Sequence, residues 1–142
     1  MNVNNLIDYA IAYNRANRNT ESIKEQRKFS NDVEYLKNCC TVGLQLPRRS
    51  GKTSYILERA TKLDIVVVPN MVFKRDLYKG CIAKVLTYDE ATNMRTYGLF
   101  DKAYYNIVYF DEAYMLHTPY EKVFDSFMLN RINFDTVVLL GT

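Results

Sequence analysis

A chain of 142 residues, 48% hydrophobic and 25% charged, is long enough to bury one apolar core without disulfides or metals, and its composition excludes a disordered, collagenous or low-complexity class. A net charge of +3 is too mild to demand a polyanionic partner, so any claim on nucleic acid must rest on where the charge lies. Three cysteines, of which Cys39 and Cys40 are vicinal and Cys81 stands apart, and a single histidine, His117, give neither a disulfide framework nor a zinc spacing.

The opening "MNVNNLIDYAIAYNR" lacks the basic start, apolar run and cleavage site of a secretory leader, and no apolar run approaches bilayer length. The expectation is one domain with reduced thiols and no membrane partner, in the cytoplasm, or in a host's cytoplasm if the protein is viral. Residues 3–17 put Leu6, Ile7, Ala10, Ile11 and Ala12 at helical spacing, and Thr20, Ile23, Phe29, Val33, Tyr35 and Leu36 mark one or two further helices to about residue 38.

The period then changes. Strands are predicted at 40–46 ("CTVGLQL"), 64–69 ("DIVVVP"), 83–88 ("AKVLTY"), 106–110 ("NIVYF") and 136–141 ("TVVLLG"), with helices at 52–62, 71–79 and 119–130, where Pro119 suits a first turn. A helical segment, 1–38, thus precedes an α/β core, 39–142. The alternation implies a mostly parallel sheet flanked by helices. Ligands of such sheets bind beyond the carboxyl ends of the strands, which singles out the loop after residue 46 and the residues after 110.

The first place reads "PRRSGKTS". In a phosphate-binding loop a strand runs into a turn of inward N–H groups, a lysine reaches the β and γ phosphates, a Ser/Thr hydroxyl ligates magnesium, and the next helix adds its positive end. Gly51, Lys52 and Thr53 are that ending, between a strand and a helix, although Leu46 stands where the pattern has its first glycine. Pro47, Arg48, Arg49, Ser50 and Ser54 complete the stretch that would wrap the phosphates of ATP. Lys52 with Arg48 or Arg49 would neutralise charge developing during hydrolysis. The same residues would also suit a solvated basic turn.

The second place reads "IVYFDEA". Paired carboxylates at the end of an apolar strand are costly unless they meet a cation. Asp111 is placed to hold magnesium, usually through water, and Glu112 to polarise the attacking water. Acidic residues at a helix start are the alternative.

Together, "PRRSGKT", "IVYFDEA" and the later "VVLLGT" resemble the ATPase domain of phage terminase large subunits and superfamily-two helicases, over about residues 23–142. The resemblance implies a RecA-like P-loop fold. Lys52 and Thr53 match the Walker A lysine and threonine, Asp111 and Glu112 the Walker B acid and catalytic glutamate, and Gly141-Thr142 a coupling or sensor motif. Arg48 matches an arginine thought to act on the phosphates, and Gln26 in "IKEQRKF" an adenine-contacting glutamine, against the plain reading of an exposed helix residue. Magnesium-dependent ATP hydrolysis, slow in isolation, is the implied activity, with DNA rather than RNA as partner, in a motor or packaging assembly or a homo-oligomer. These families continue with a further strand and domains, so a sequence ending at Thr142 reads either as a fragment or as a small protein that kept one ATPase half. The alternative function is a nucleotide-binding module, weakly catalytic or not at all, acting through a protein partner, for example a viral regulator that mimics or caps a motor.

Further features carry two readings each. Tyr97, Tyr104, Tyr105, Tyr109, Tyr114 and Tyr120, near Lys102, would stack on bases or, the favoured reading, sit half-buried around the sheet. "FKRDLYK" (73–79) would track a nucleic-acid backbone or be a solvated face. His117 would sense a nucleotide or be a loop residue, and the cysteines read as apolar fillers.

Overall fold

The alternating periods become a five-stranded sheet in which every neighbouring pair runs parallel, in the order β1 (Thr41–Leu44), β5 (Asn133–Leu140), β4 (Tyr104–Phe110), β2 (Ile65–Val68), β3 (Lys84–Thr87). The computed structural model describes residues 2–47, 49–93, 100, 102–115 and 120–141. Three helices come first: α1 (Val3–Asn17), α2 (Glu21–Phe29) and α3 (Asp32–Cys39). Then follow β1 (Thr41–Leu44), α4 (Lys52–Arg59), β2 (Ile65–Val68), α5 (Met71–Leu77), β3 (Lys84–Thr87), α6 (Tyr88–Thr92), β4 (Tyr104–Phe110), a 3-10 turn (Ala113–Met115), α7 (Glu121–Leu129) and β5 (Asn133–Leu140).

Local chemistry sets the helix starts. Asn2, Thr20, Asn31, Asn70 and Thr87 each accept a backbone N–H from the first turn of the helix that follows, satisfying donors that have no partner inside the helix. Burial sets the strands. All four residues of β2 are buried, as are the last four of β4 and the last five of β5, because helices cover both faces of the sheet.

One face packs Ile7 and Ile11 of α1 and Tyr55 and Ile56 of α4 on Val66, Val68, Tyr109, Val138 and Leu140. The other packs Leu36 of α3 and Val123, Phe124 and Phe127 of α7 on Val67, Val108, Phe110, Val137 and Leu139. Asp64, 2% exposed, closes the lower end of β2 by accepting from Thr61 N (2.8 Å) and from Ile107 N of β4 (3.0 Å). Burial pushes its carboxyl above the ordinary aspartate range.

The structure amends several expectations. β5 begins at Asn133 rather than 136, because its first residues pair with Tyr104 and Tyr105 of β4. The helix α6 was not foreseen. It is a single capped turn held by Thr87 and Glu90, too short to show a period. Of the apolar stripe on the first helix, only Ile7 and Ile11 are buried, since α1 meets the sheet along one narrow line; Leu6 is 36% exposed. Tyr105 and Tyr109 are fully buried rather than half-buried, which removes them from any base-stacking role, while Tyr104 and Tyr114 are exposed. Tyr97, His117 and Pro119 lie outside the described residues. All three cysteines are free thiols, and Cys39 and Cys40 are buried as apolar fillers. Among the described residues no helix is long and apolar enough to cross a membrane.

The first helix is therefore part of the core. Its end is fixed as well: Arg18 donates to Asp135 Oδ1 (3.1 Å) and Thr136 Oγ1 (2.7 Å) of β5. Ile7→Ala, at a side chain with 0% exposure, is expected to lower the free energy of unfolding by about 2–4 kcal/mol. Urea denaturation measures it; a loss under about 1 kcal/mol would make α1 a peripheral attachment.

Candidate functional site

The carboxyl ends of β1 and β4 are separated by one strand, β5, and the residue after it joins them. Gly141 N donates to Leu44 O of β1 (2.9 Å), and Gly141 O accepts from Tyr114 N, in the turn after β4 (2.9 Å). Gly141 has φ +77, and a Cβ built on it would lie 3.4 Å from Lys52 Nζ and 3.5 Å from Glu112 Oε2. The left-handed backbone is what favours glycine here, while the space beside it would take a Cβ in ordinary contact.

Above this glycine lies the basic loop. Gly51, with φ +95, precedes α4, and α4 starts without the side-chain cap that five other helices have. Its first N–H groups are left for another acceptor. Arg49 also has positive φ, +59, and left-handed residues of this kind build the concavities that hold anions. Of the six described residues with positive φ, four, Arg49, Gly51, Glu112 and Gly141, surround this one place. Arg49 and Glu112, the two of these that are not glycine, carry a steric cost in that conformation, and backbone strain of this kind gathers at functional sites. Arg49, Gly51, Lys52, Thr53, Ser54 and Glu112 line an open cavity of about 260 Å³.

Lys52 is 3% exposed and curls back under the loop. Its Nζ donates to Leu46 O (3.3 Å) and Pro47 O (3.1 Å) and pairs with Glu112 Oε1 (3.1 Å). A buried ammonium must be paired or solvated by oxygens, and here every partner is a loop carbonyl or a carboxylate within the site.

The neighbouring hydroxyl makes the decisive contact. Thr53 Oγ1 donates to Asp111 Oδ2 at 2.7 Å, joining two motifs 58 positions apart. The same oxygen accepts from Tyr78 OH at 2.5 Å. Burial, with the Asp111 charge beside it, raises the Tyr78 hydroxyl far above its ordinary pKa, so it remains a donor. Asp111 Oδ1, Glu112 Oε2 and Ser50 Oγ are buried with no hydrogen-bond partner among the described residues.

These atoms fit a hard cation that shares its shell with a ligand's oxygens. No cluster of three or more metal-ligating side chains occurs among the described residues. One hydroxyl, one carboxylate with an unsatisfied oxygen and a second carboxylate form the sparse set that suits magnesium, which keeps waters and takes phosphate oxygens. Asp111 and Glu112 directly precede a 3-10 turn rather than an α-helix, and Glu112 is left-handed at φ +51.

The other expected residues divide. Pro47 serves by its carbonyl, and Ser54 is at the cavity wall. Gln26 is an exposed residue of α2 whose carbonyl accepts from Ser30 Oγ, and it is not among the cavity-lining residues. Arg48 and Thr142 lie outside the described residues. The basic stretch 73–79 has internal partners: Lys74 pairs with Glu90 (2.9 Å) and Arg75 with Asp76 (2.9 Å). Sequence reasoning missed Tyr78, which lies within that basic stretch and has no spacing to separate it from Leu77 beside it. Compared with protein-family models, curated proteins and solved structures, the chain matches none.

The role of Gly141 is open to a direct check. Gly141→Ala forces a Cβ into left-handed backbone against Lys52 and Glu112, and is expected to cost about 1–2 kcal/mol of stability. An unchanged urea midpoint would show that the β5 end is not held against the loop.

Proposed function

We propose that this chain is a RecA-like P-loop domain that binds ATP with magnesium and hydrolyses it, in the manner of the terminase and helicase motors its motifs resemble. The observation that carries the reading is the Thr53–Asp111 hydrogen bond, with Lys52 and Glu112 paired beside it. Two sequence motifs that each admit a plain explanation share one oxygen atom, in a place lined by uncapped helix N–H groups and left-handed backbone.

In this reading the phosphates lie along the Arg49–Ser54 loop, and Lys52 exchanges its carbonyl and Glu112 contacts for phosphate oxygens. Magnesium, when bound, screens the phosphate charge and polarises the bond to be broken. Thr53 and Asp111 would hold it, Thr53 by its hydroxyl and Asp111 by its unsatisfied oxygen. Glu112, released from Lys52, orients water and accepts its proton, and Arg49 at the cavity wall faces charge developing on the leaving phosphate. Nucleic acid, DNA rather than RNA, enters through the resemblance alone; the charges of α5 do not carry it, because Lys74 and Arg75 are already paired.

Titration with Mg-ATP tests this. Lys52→Ala removes a charged donor to phosphate and is expected to weaken binding by about 10- to 100-fold, the equivalent of roughly 1.5–3 kcal/mol. Unchanged affinity would end the P-loop reading.

Glu112→Gln separates binding from catalysis. It leaves Lys52 with carbonyl partners only, so ATP is expected to bind at least as tightly and to raise the melting temperature more than in the parent, while turnover falls by roughly 100-fold or more. Turnover that survives this change removes Glu112 from the chemistry. A parent chain that binds Mg-ATP without turning it over would instead assign the non-catalytic module.

A further inference from the structure

Two hydroxyls meet one oxygen of Asp111, and only one of them belongs to the loop. Thr53 comes from the first turn of α4, directly behind the loop. Tyr78 comes from the residue that ends α5, on the crossover between β2 and β3. Its ring is 3% exposed and packs in the apolar layer with Ile7, Ile56, Val66 and Val68. A buried tyrosine needs a partner for its hydroxyl, which a backbone carbonyl would supply. This one reaches instead across to the carboxylate at the end of β4.

The consequence is an ordered division of the carboxylate. Oδ2 accepts from both Thr53 and Tyr78, while Oδ1 is buried and has no partner among the described residues. A carboxylate held by two donors on one oxygen cannot rotate without losing both. Its other oxygen is thereby fixed in direction, as an outer-shell hydrogen bond fixes the ligand of a metal ion. We infer that Tyr78 is a positioning residue for magnesium: its hydroxyl sets the orientation of Asp111 so that Oδ1 is presented to the cation or to its waters. The inference rests on the proposed role of Asp111 as a magnesium ligand. It makes the C-terminal end of α5 part of the site, although nothing in the residue pattern of 73–79 marks it so.

A second tyrosine supplies the comparison. Tyr55 is 1% exposed, lies in the same apolar layer and donates to another carboxylate, Asp8 Oδ1 of α1, at 2.6 Å. Tyr55→Phe and Tyr78→Phe thus delete the same kind of bond from the same layer, one outside the site and one on its metal-binding carboxylate. The experiment is a magnesium chloride titration of the full chain with a non-hydrolysable ATP analogue, read by analogue binding and by melting temperature, with urea unfolding of each variant alongside.

Tyr78→Phe is expected to raise the magnesium concentration for half-maximal analogue binding by about 10-fold or more, and Tyr55→Phe to leave it unchanged. Equal magnesium dependence in Tyr78→Phe and the parent overturns the inference and leaves the proposed function standing. So does a shift shared by both variants, which marks a general loss of stability, and so does a Tyr78→Phe chain that fails to fold, which makes the hydroxyl structural. A parent chain whose analogue binding does not depend on magnesium overturns the role of Asp111 and the inference with it.

Discussion

Everything at the site depends on β5 lying between β1 and β4. The strand pairs Val137–Leu140 with Thr41–Leu44 on one side and Thr136–Leu139 with Ile107–Phe110 on the other. Parallel pairing brings all three carboxyl ends to one edge, and the intervening strand sets the gap between the loop after β1 and the acids after β4. A single glycine spans it by hydrogen bonding to both sides. Without the strand, Thr53 and Asp111 would have no fixed separation.

Within that frame the polar groups satisfy one another in a way that a ligand can undo. Lys52 leans on two carbonyls and Glu112, and Thr53 and Tyr78 lean on one oxygen of Asp111. The remaining oxygens, Asp111 Oδ1 and Glu112 Oε2, are buried and unpaired among the described residues. Buried polar atoms without partners cost free energy, and residues held at positive φ add strain. The site is thus the least relaxed part of a well-packed sheet, and an anion with a cation would relieve it.

The two faces of the sheet divide the work differently. The face under α3 and α7 is an aromatic layer in which Phe124 and Phe127 meet Phe134 at 5.4 and 5.7 Å between ring centres. It is built from apolar and aromatic side chains packed on one another. On the face under α1, α4 and α5, two of the buried tyrosines, Tyr55 and Tyr78, end in hydroxyls on carboxylates, so packing on this side also orients charge.

The sequence by itself determined the α/β alternation, the five strands to within a few residues, and the two strand ends that matter. Periodicity and apolar runs report burial, and burial of a parallel strand is nearly complete along its length. It also singled out Lys52, Thr53, Asp111 and Glu112 as candidates, because each follows a strand whose carboxyl end faces the loops of a parallel sheet. Tertiary structure alone decided the strand order, which no local period encodes. It decided that Gly141 closes on Lys52 and Glu112, that Lys52 and Glu112 pair, and that Tyr78 rather than Tyr109 or Tyr114 reaches Asp111. Those contacts join residues far apart in the chain, and their partners are chosen by where the ends of α5 and β5 are carried in space. A linear pattern can name a residue's type and its local face, but the distance between two such faces is set only when the sheet closes.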